Sequence, residues 1–504
     1  MRNPKTMKKQ SIIYSLALTA LFSCTDLDEE LRSELPKEKA EAFLKENVDF
    51  SSLMETVYRD FDSRYIQHAG CVWLFQEISA DAAVVPSRPS GWDNGGVYRQ
   101  LHTHTWVPTN PYIQSLWRGL NKGIFDATNV LSFEPTEALA AEARFLRAFF
   151  MYSVLDLFDQ VPFREPGDNL LEASTVLRGK VAADFIIQEV EEVLPDLPVD
   201  GPAYRASQNA AHGLLAKLYL NRGVYENRET PQFSSSDMEK VMAHVDAIQG
   251  KSLDFYWDSF VPENNSASSE LIFTIEGLGG VRSHSMWVWW HAIFPTEMTL
   301  PNGGGWNGFC STPEVYDLFE ENDIRRYYEH PLTEAHGYNA GFLTGQQTDA
   351  DGNPLPDVVF TKEVPTIVGA TLWNGFRPVK YIPDYQYPGA ANNDVVLLRY
   401  ADLLLMKAEA QWRNGDQESA LEIINQVRVR NEIGPLDEVN AQVLLDERGR
   451  ELFWEGHRRQ DMVRFGTFLG EWTLKEPSDP KYLIFPIPPA DVLSNPNLEQ
   501  NPGF

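Results

Sequence analysis

Residues 395–430 read VVLLRYADLLLMKAEAQWRNGDQESALEIINQVRVR. Apolar residues recur at helical spacing on both sides of Asn414-Gly415-Asp416, so the stretch predicts two antiparallel helices, Val395 to Trp412 and Glu418 to Arg430. Gly415 supplies the left-handed turn and Asp416 the N-cap of the second helix. From Leu397 to Arg430 is 34 residues, the tetratricopeptide period. Ala420-x₃-Ile424 fits the small-to-large packing of a second repeat helix. The Trp and Gly of a strict first repeat helix are not matched.

Further helices follow outward from this pair. Ala138 to Phe158 has neither Gly nor Pro and stops before Pro162. Ser207 to Arg222 places Ala211, Leu214, Leu215, Leu218 and Tyr219 on one face, with Gly223 predicted as its end. Val181 to Leu194 and Met238 to Ile248 are shorter amphipathic runs. Between about residues 251 and 390 the texture changes to Gly, Pro, Asn and Trp, with helical periodicity only over Pro313 to Tyr328. Such long irregular stretches are functional or disordered, and the aromatic content argues against disorder. The expectation is a mainly α protein in which helix pairs (about 40–250 and 391–466) carry a loop-rich, ligand-bearing region (about 251–390), with a C-terminal extension over 467–504.

The chain has 504 residues and a formal net charge of −29, which argues against a nucleic-acid partner. Arg2, Lys5, Lys8 and Lys9, without an acid among them, precede the apolar run Ile12 to Phe22; Leu21-Phe22-Ser23-Cys24 and the acids Asp26, Asp28, Glu29 and Glu30 follow. This is the pattern of a signal peptide over residues 1–23, with Cys24 set to become a lipidated first mature residue. Each buried CH₂ of an acyl chain adds about 0.8 kcal/mol to membrane binding, so an acidic protein that charge cannot dock onto anionic lipid is held by its anchor.

The 13 Trp, 19 Tyr and 28 Phe exceed what a helix core needs. Val85-Pro-Ser-Arg-Pro-Ser-Gly-Trp-Asp-Asn-Gly-Gly-Val-Tyr98 is the sharpest candidate site. A flat ligand with an apolar face and a polar rim would find aromatic platforms (Trp92, Tyr98) beside donors and acceptors (Arg88, Asp93, Asn94). Trp287, Trp289, Trp290 and Trp306, the last among glycines and the best of them, form a second aromatic group, the alternation of Trp287 and Trp289 suggesting a strand. His102 and His104 read as a hydrogen-bonded pair rather than metal ligands, and Cys71 and Cys310 as small hydrophobes. Arg448, Arg450, Glu451, Glu455, Arg458, Asp461 and Arg464 read as an ion-pair network rather than an anion site. No cofactor or metal is implied.

Several segments together resemble one family, the SusD/RagB outer-membrane nutrient-binding lipoproteins. They are Ala143-Arg-Phe-Leu-Arg-Ala-Phe-Phe150 with Leu157-Phe-Asp-Gln-Val-Pro-Phe163, Ala211 to Leu220, Leu397 to Ala410, Glu447 to Arg458 with Asp461-Met-Val-Arg-Phe-Gly466, Leu483-Ile-Phe-Pro-Ile-Pro488 and Asn495 to Phe504. One departure is Gln160, where the family often has Asp. The resemblance implies a SusD-like fold and a cell-surface lipoprotein of the outer membrane that captures glycans as the lid of a SusC-type TonB-dependent β-barrel. The 85–98 loop as a glycan site draws partly on the same resemblance. Two rival classes remain. A glycan hydrolase needs two placed carboxylates, and a peptide- or glycoprotein-capturing RagB-like binder would use the helix pairs without the loop tryptophans. No catalytic motif is present.

If Cys24 is the acylation site, a clickable fatty acid fed to expressing cells should tag the wild type and not Cys24→Ala; equal labelling of both would refute it.

Overall fold

The computed structural model describes residues 47–282, 285–298, 300 and 303–504; Cys24 and the residues around it lie outside this range. The long helices are α1 (Phe50–Tyr65), α2 (Pro111–Leu131), α3 (Glu137–Phe158), α4 (Gly179–Val193), α5 (Gln208–Glu226), α6 (Ser235–Asp246), α7 (Met286–Ile293), α8 (Tyr400–Arg413), α9 (Gln417–Arg430), α10 (Ala441–Glu451) and α11 (Arg458–Arg464). Most open on a side chain that satisfies an otherwise unpaired N–H: Asn110 for α2, Thr136 for α3, Ser207 for α5, Ser234 for α6, Asp416 for α9 and Asn440 for α10.

These helices stack in order. α1 lies on α2, and α2 to α6 each pack on the next; α6 then packs on α8, and α8 on α9. The array therefore runs straight from α6 to α8 although more than 150 residues of chain separate them. The loop-rich region is an insertion between two neighbouring helices of one array. Asp49–Phe504 form one unit around a continuous apolar core. The fold is mainly α, with short two- and three-stranded sheets. No helix among the described residues is long and apolar enough to cross a membrane.

Three sequence-based expectations need correction. Val395–Arg399 is a strand, not the first turn of a helix, and pairs antiparallel with Leu271–Ile275; β-branched Val395 and Val396 suit that buried position. Helix α5 runs through Gly223 to Glu226. Gly223 serves a close approach rather than an end, since a Cβ there would lie 1.8 Å from the Gln232 carbonyl oxygen. Finally, the helix predicted over Pro313 to Tyr328 stops at Leu318. The C-terminal extension is tied down at Gln160, whose side chain donates to Glu499 O (2.7 Å) and Asn501 Oδ1 (2.8 Å) and accepts from Glu499 N (3.1 Å).

The insertion is joined to the array by buried charge. Glu451, at the end of α10, is fully buried and accepts from Arg325 (2.9 Å) in the insertion, Arg399 (2.6 Å) before α8, Arg430 at the end of α9, and the Asn431 amide (3.0 Å). Arg399 also reaches Glu270 (3.1 Å) and Glu455 (2.7 Å), and Lys380 reaches Glu455 (2.8 Å). A second knot joins Arg448 to Asp402 and Asp461 (both 2.9 Å), and Arg464 to Glu409 (2.8 Å) and Asp461 (2.7 Å). Burial by itself would raise these carboxyls, but the surrounding arginines and lysines outweigh it and hold Glu447, Glu451, Glu455, Glu409 and Asp461 below their ordinary range.

Two outcomes follow from this geometry. Glu451→Gln leaves the buried Arg325 and Arg399 and the part-buried Arg430 short of charge and should lower the unfolding free energy by roughly 3–5 kcal/mol, read from urea melts; a change near zero would show that the network carries no stability. A carboxyl whose folded pKa is depressed stabilises above its unfolded pKa and loses that contribution as pH falls through the folded value. The melting temperature should therefore drop steeply once pH falls below about 4.5, the ordinary Glu value, and a flat acid limb would contradict it.

Candidate functional site

The 85–98 loop is anchored before it turns outward. Val84 and Cys310 exchange backbone hydrogen bonds (2.9 and 3.1 Å), Ser87 and the 367–370 segment do the same (2.9 Å each), and Arg88 and Gly91 close a tight turn. Arg88 is buried, and its guanidinium donates to Thr371 O (2.5 Å), Asn374 O (2.9 Å) and Cys310 Sγ (3.2 Å). Arg377, also buried, donates to Asn307 Oδ1 (2.6 Å), Leu372 O (2.9 Å) and Asn374 O (3.1 Å). Both guanidinium groups have their pKa lowered by burial, and among the described residues both donate to carbonyls rather than to carboxylates, Arg88 keeping its Nε unpaired. They staple the 371–375 turn to the loop. Arg88 is thus a brace, and the expectation that it offers free donors to a ligand is corrected.

Tyr98 is corrected in the same way. It is buried, its hydroxyl donates to His68 O (2.5 Å), and its ring meets Tyr112 (5.2 Å) and Phe309 (5.9 Å) edge-on. Burial first, and Tyr112 second, raise its pKa. Tyr98 backs the site instead of forming its platform.

Trp92 lies across this backing at positive φ (72°), half-buried. Its ring packs 5.4 Å from Phe309 and covers Gly308, where a Cβ would come within 2.2 Å of the indole. The indole N–H donates to Trp306 O (2.7 Å). This bond joins the two aromatic groups that the sequence left apart. Trp306 is 38% exposed, its ring flanked by His291 (5.4 Å), His68 (5.6 Å) and Trp287 (6.1 Å). Asp93 and Asn94 are exposed at the rim; Asp93 pairs with Arg99 (3.1 Å), and Asn94 lies 3.4 Å from the Tyr112 hydroxyl.

Trp287 sits on helix α7, not on a strand. A Trp-x-Trp spacing fits either element, but a helix turns about 200° over two residues. Trp287 therefore stays half-buried beside Trp306 while Trp289 and Trp290 are buried, the latter donating to Tyr381 O (3.0 Å). Three contributors escaped sequence reasoning: His68, Tyr112 and His291. Burial lowers the pKa of His68, so it borders Trp306 as a neutral ring. Nothing in the residues around His68 signals this role, which arises only from packing. Tyr112 was legible in part, since Asn110-Pro111 marks the helix start that aims it.

The remaining candidates are structural. His102 is bonded to Ala83 O (3.2 Å) and Thr473 O (2.8 Å), and His104 to Ser79 O and the Ser478 hydroxyl (both 2.7 Å). Burial pushes His104 down to about 2, so it stays neutral. Cys71 and Cys310 are buried, the former's thiol raised to about 12 by that burial. The array of one exposed indole, flanking rings and a polar rim can hold a flat, partly apolar, hydroxyl-bearing ligand by stacking and hydrogen bonding.

Comparison with known proteins agrees with this architecture. The sequence model described as the SusD family matches residues 269–504. The starch-binding protein SusD of Bacteroides thetaiotaomicron is 28% identical over 475 residues, covering 82% of each chain. Among solved structures, a SusD-like protein from Bacteroides fragilis superposes with a TM-score of 0.68 at 18% identity, covering 94% of this chain and all of its own. Surface glycan-binding protein A from Bacteroides thetaiotaomicron, in complex with laminarihexaose, gives a TM-score of 0.63 at 19% identity over 90% of this chain and 98% of its own.

Proposed function

We propose that this chain, which is similar to the SusD family over residues 269–504 and to the starch-binding protein SusD over most of its length, is a surface glycan-binding protein whose site is the Trp306 patch. The observation that carries this reading is an exposed indole held in place from behind. Trp92 fixes the Trp306 backbone, Gly308 admits Trp92, and Arg88 and Arg377 staple the turns beneath. A platform fixed before the ligand arrives spends little binding energy on ordering itself. The relatives named for starch and seen with laminarihexaose support an oligo- or polysaccharide as the ligand class.

In this proposal the protein is held at the outer membrane by acylated Cys24 and passes its ligand, chemically unchanged, to a SusC-type TonB-dependent barrel. A tethered binder concentrates ligand and needs a partner with a pore to move it. Hydrolysis would ask for two carboxylates across the bound sugar. Asp93 is the one carboxylate among the residues that form the patch, and it is paired with Arg99.

Stacking that buries about 100 Å² on Trp306 contributes roughly 2.5 kcal/mol before ordering costs. On a glycan that binds the wild type, Trp306→Ala should weaken affinity about tenfold or more in titration calorimetry while leaving the melting temperature unchanged. Unchanged affinity, or shortened sugars released by the purified chain, would overturn the reading.

A further inference from the structure

Helix α2 carries a second feature that neither the core nor the aromatic patch uses. Asn121, Phe125 and Asn129 follow one another at four-residue spacing, so they stand in a line along one face of the helix. Phe125 is 46% exposed. Opposite this line, the segment after the Gln160–Phe163 strand folds back and encloses a hollow of about 320 Å³ between Phe125 on the helix and Phe163 and Leu170 on the returning chain. We propose that this hollow is a second ligand site, taking a single uncharged sugar ring.

The wall is built in advance. The Arg164 guanidinium clips Asn169 O (3.1 Å) and Glu172 O, and Gly167 N donates to the Ser132 hydroxyl (3.2 Å), fixing the returning loop to the C-terminal end of α2. The chemistry of the lining then selects the ligand. Phe125, Phe163 and Leu170 offer an apolar floor and side. Along the rim, among the described residues, the Asn129 carboxamide makes no hydrogen bond, and Asn121 commits its N–H to Trp117 O (2.8 Å) while its side-chain oxygen takes no partner there. Carboxamides flanking a ring one turn away on each side match a molecule with an apolar face and a hydroxyl edge. An anion is disfavoured, because the one guanidinium at the hollow is spent on carbonyls and its other charges are Glu165 and Asp168.

The site is separate from the aromatic patch. Tyr112, which touches that patch, lies thirteen residues before Phe125 on the same helix. Thirteen residues are about 20 Å along the axis and leave the two positions about 140° apart around it, so the two sites face different directions. Neither depends on the other.

The test is saturation-transfer NMR of the full chain with glucose, galactose, mannose and xylose at millimolar concentration, the range in which a single ring binds. The proteins compared are wild type, Trp306→Ala, Phe125→Ala and the double variant. At least one sugar should keep its signal in Trp306→Ala and lose it by about tenfold or more when Phe125→Ala is added. Signal that disappears with Trp306→Ala alone would place all sugar contact at the aromatic patch and overturn this second site while upholding the first. Absence of signal from every protein would also overturn it, and the patch would still be judged by titration with polymer. A Phe125→Ala chain that keeps the sugar signal but no longer co-purifies with a β-barrel would make the hollow a protein-docking surface, and the proposal would fall.

Discussion

A charge taken out of water must meet its counter-charge inside the protein or cost several kcal/mol, and Glu451 is where this chain meets that condition most densely. Its two oxygens gather Arg325, Arg399, Arg430 and Asn431, drawn from the insertion, the strand before α8 and the end of α9. Apolar burial is non-directional. Several bonds to one carboxylate are directional, so they add a fixed seat for the insertion on the array. The antiparallel pairing of Leu271–Ile275 with Val395–Arg399 then brings the two ends of the insertion together beside that seat.

The candidate site depends on the same rule with the opposite solution. Arg88 and Arg377 are buried without a carboxylate among the described residues, and each donates to the carbonyls of a turn. Used in this way, a guanidinium shapes irregular backbone that no helix or sheet supports. The turns so fixed carry Trp92 and Trp306, and the glycines between them let rings and backbone approach more closely than any side chain would allow. Rigidity in a loop-rich region thus comes from buried arginines and from missing Cβ atoms, not from regular hydrogen bonding.

How far the chain could be read in advance follows from the range of the interactions involved. Helices α3, α4, α5, α6 and α9 were legible because periodicity and caps are local. The register of Val395–Arg399 was not, because a short buried run suits a strand or a helix and only a partner strand decides between them. Trp287 was assigned to the wrong element for the same reason: two tryptophans two apart carry no period. Arg88 and Tyr98 were chosen for their residue types, yet both are buried, since residue type does not say which way a side chain faces. His68 and His291 carried no signal at all.

By itself, the sequence determined a mainly α array, the place where it is interrupted, a charge-alternating segment that reads as paired, and a loop whose composition suits an aromatic site. These are properties of neighbours along the chain, set by backbone geometry and hydrophobic period. Tertiary structure alone decided that α6 and α8 are adjacent across the insertion, that Trp92 and Trp306 share one patch, and that Phe125 faces a hollow instead of the core. Each of these joins residues far apart in sequence, and the close approach, counter-charge or exposed ring that fixes it exists only once the whole chain has packed.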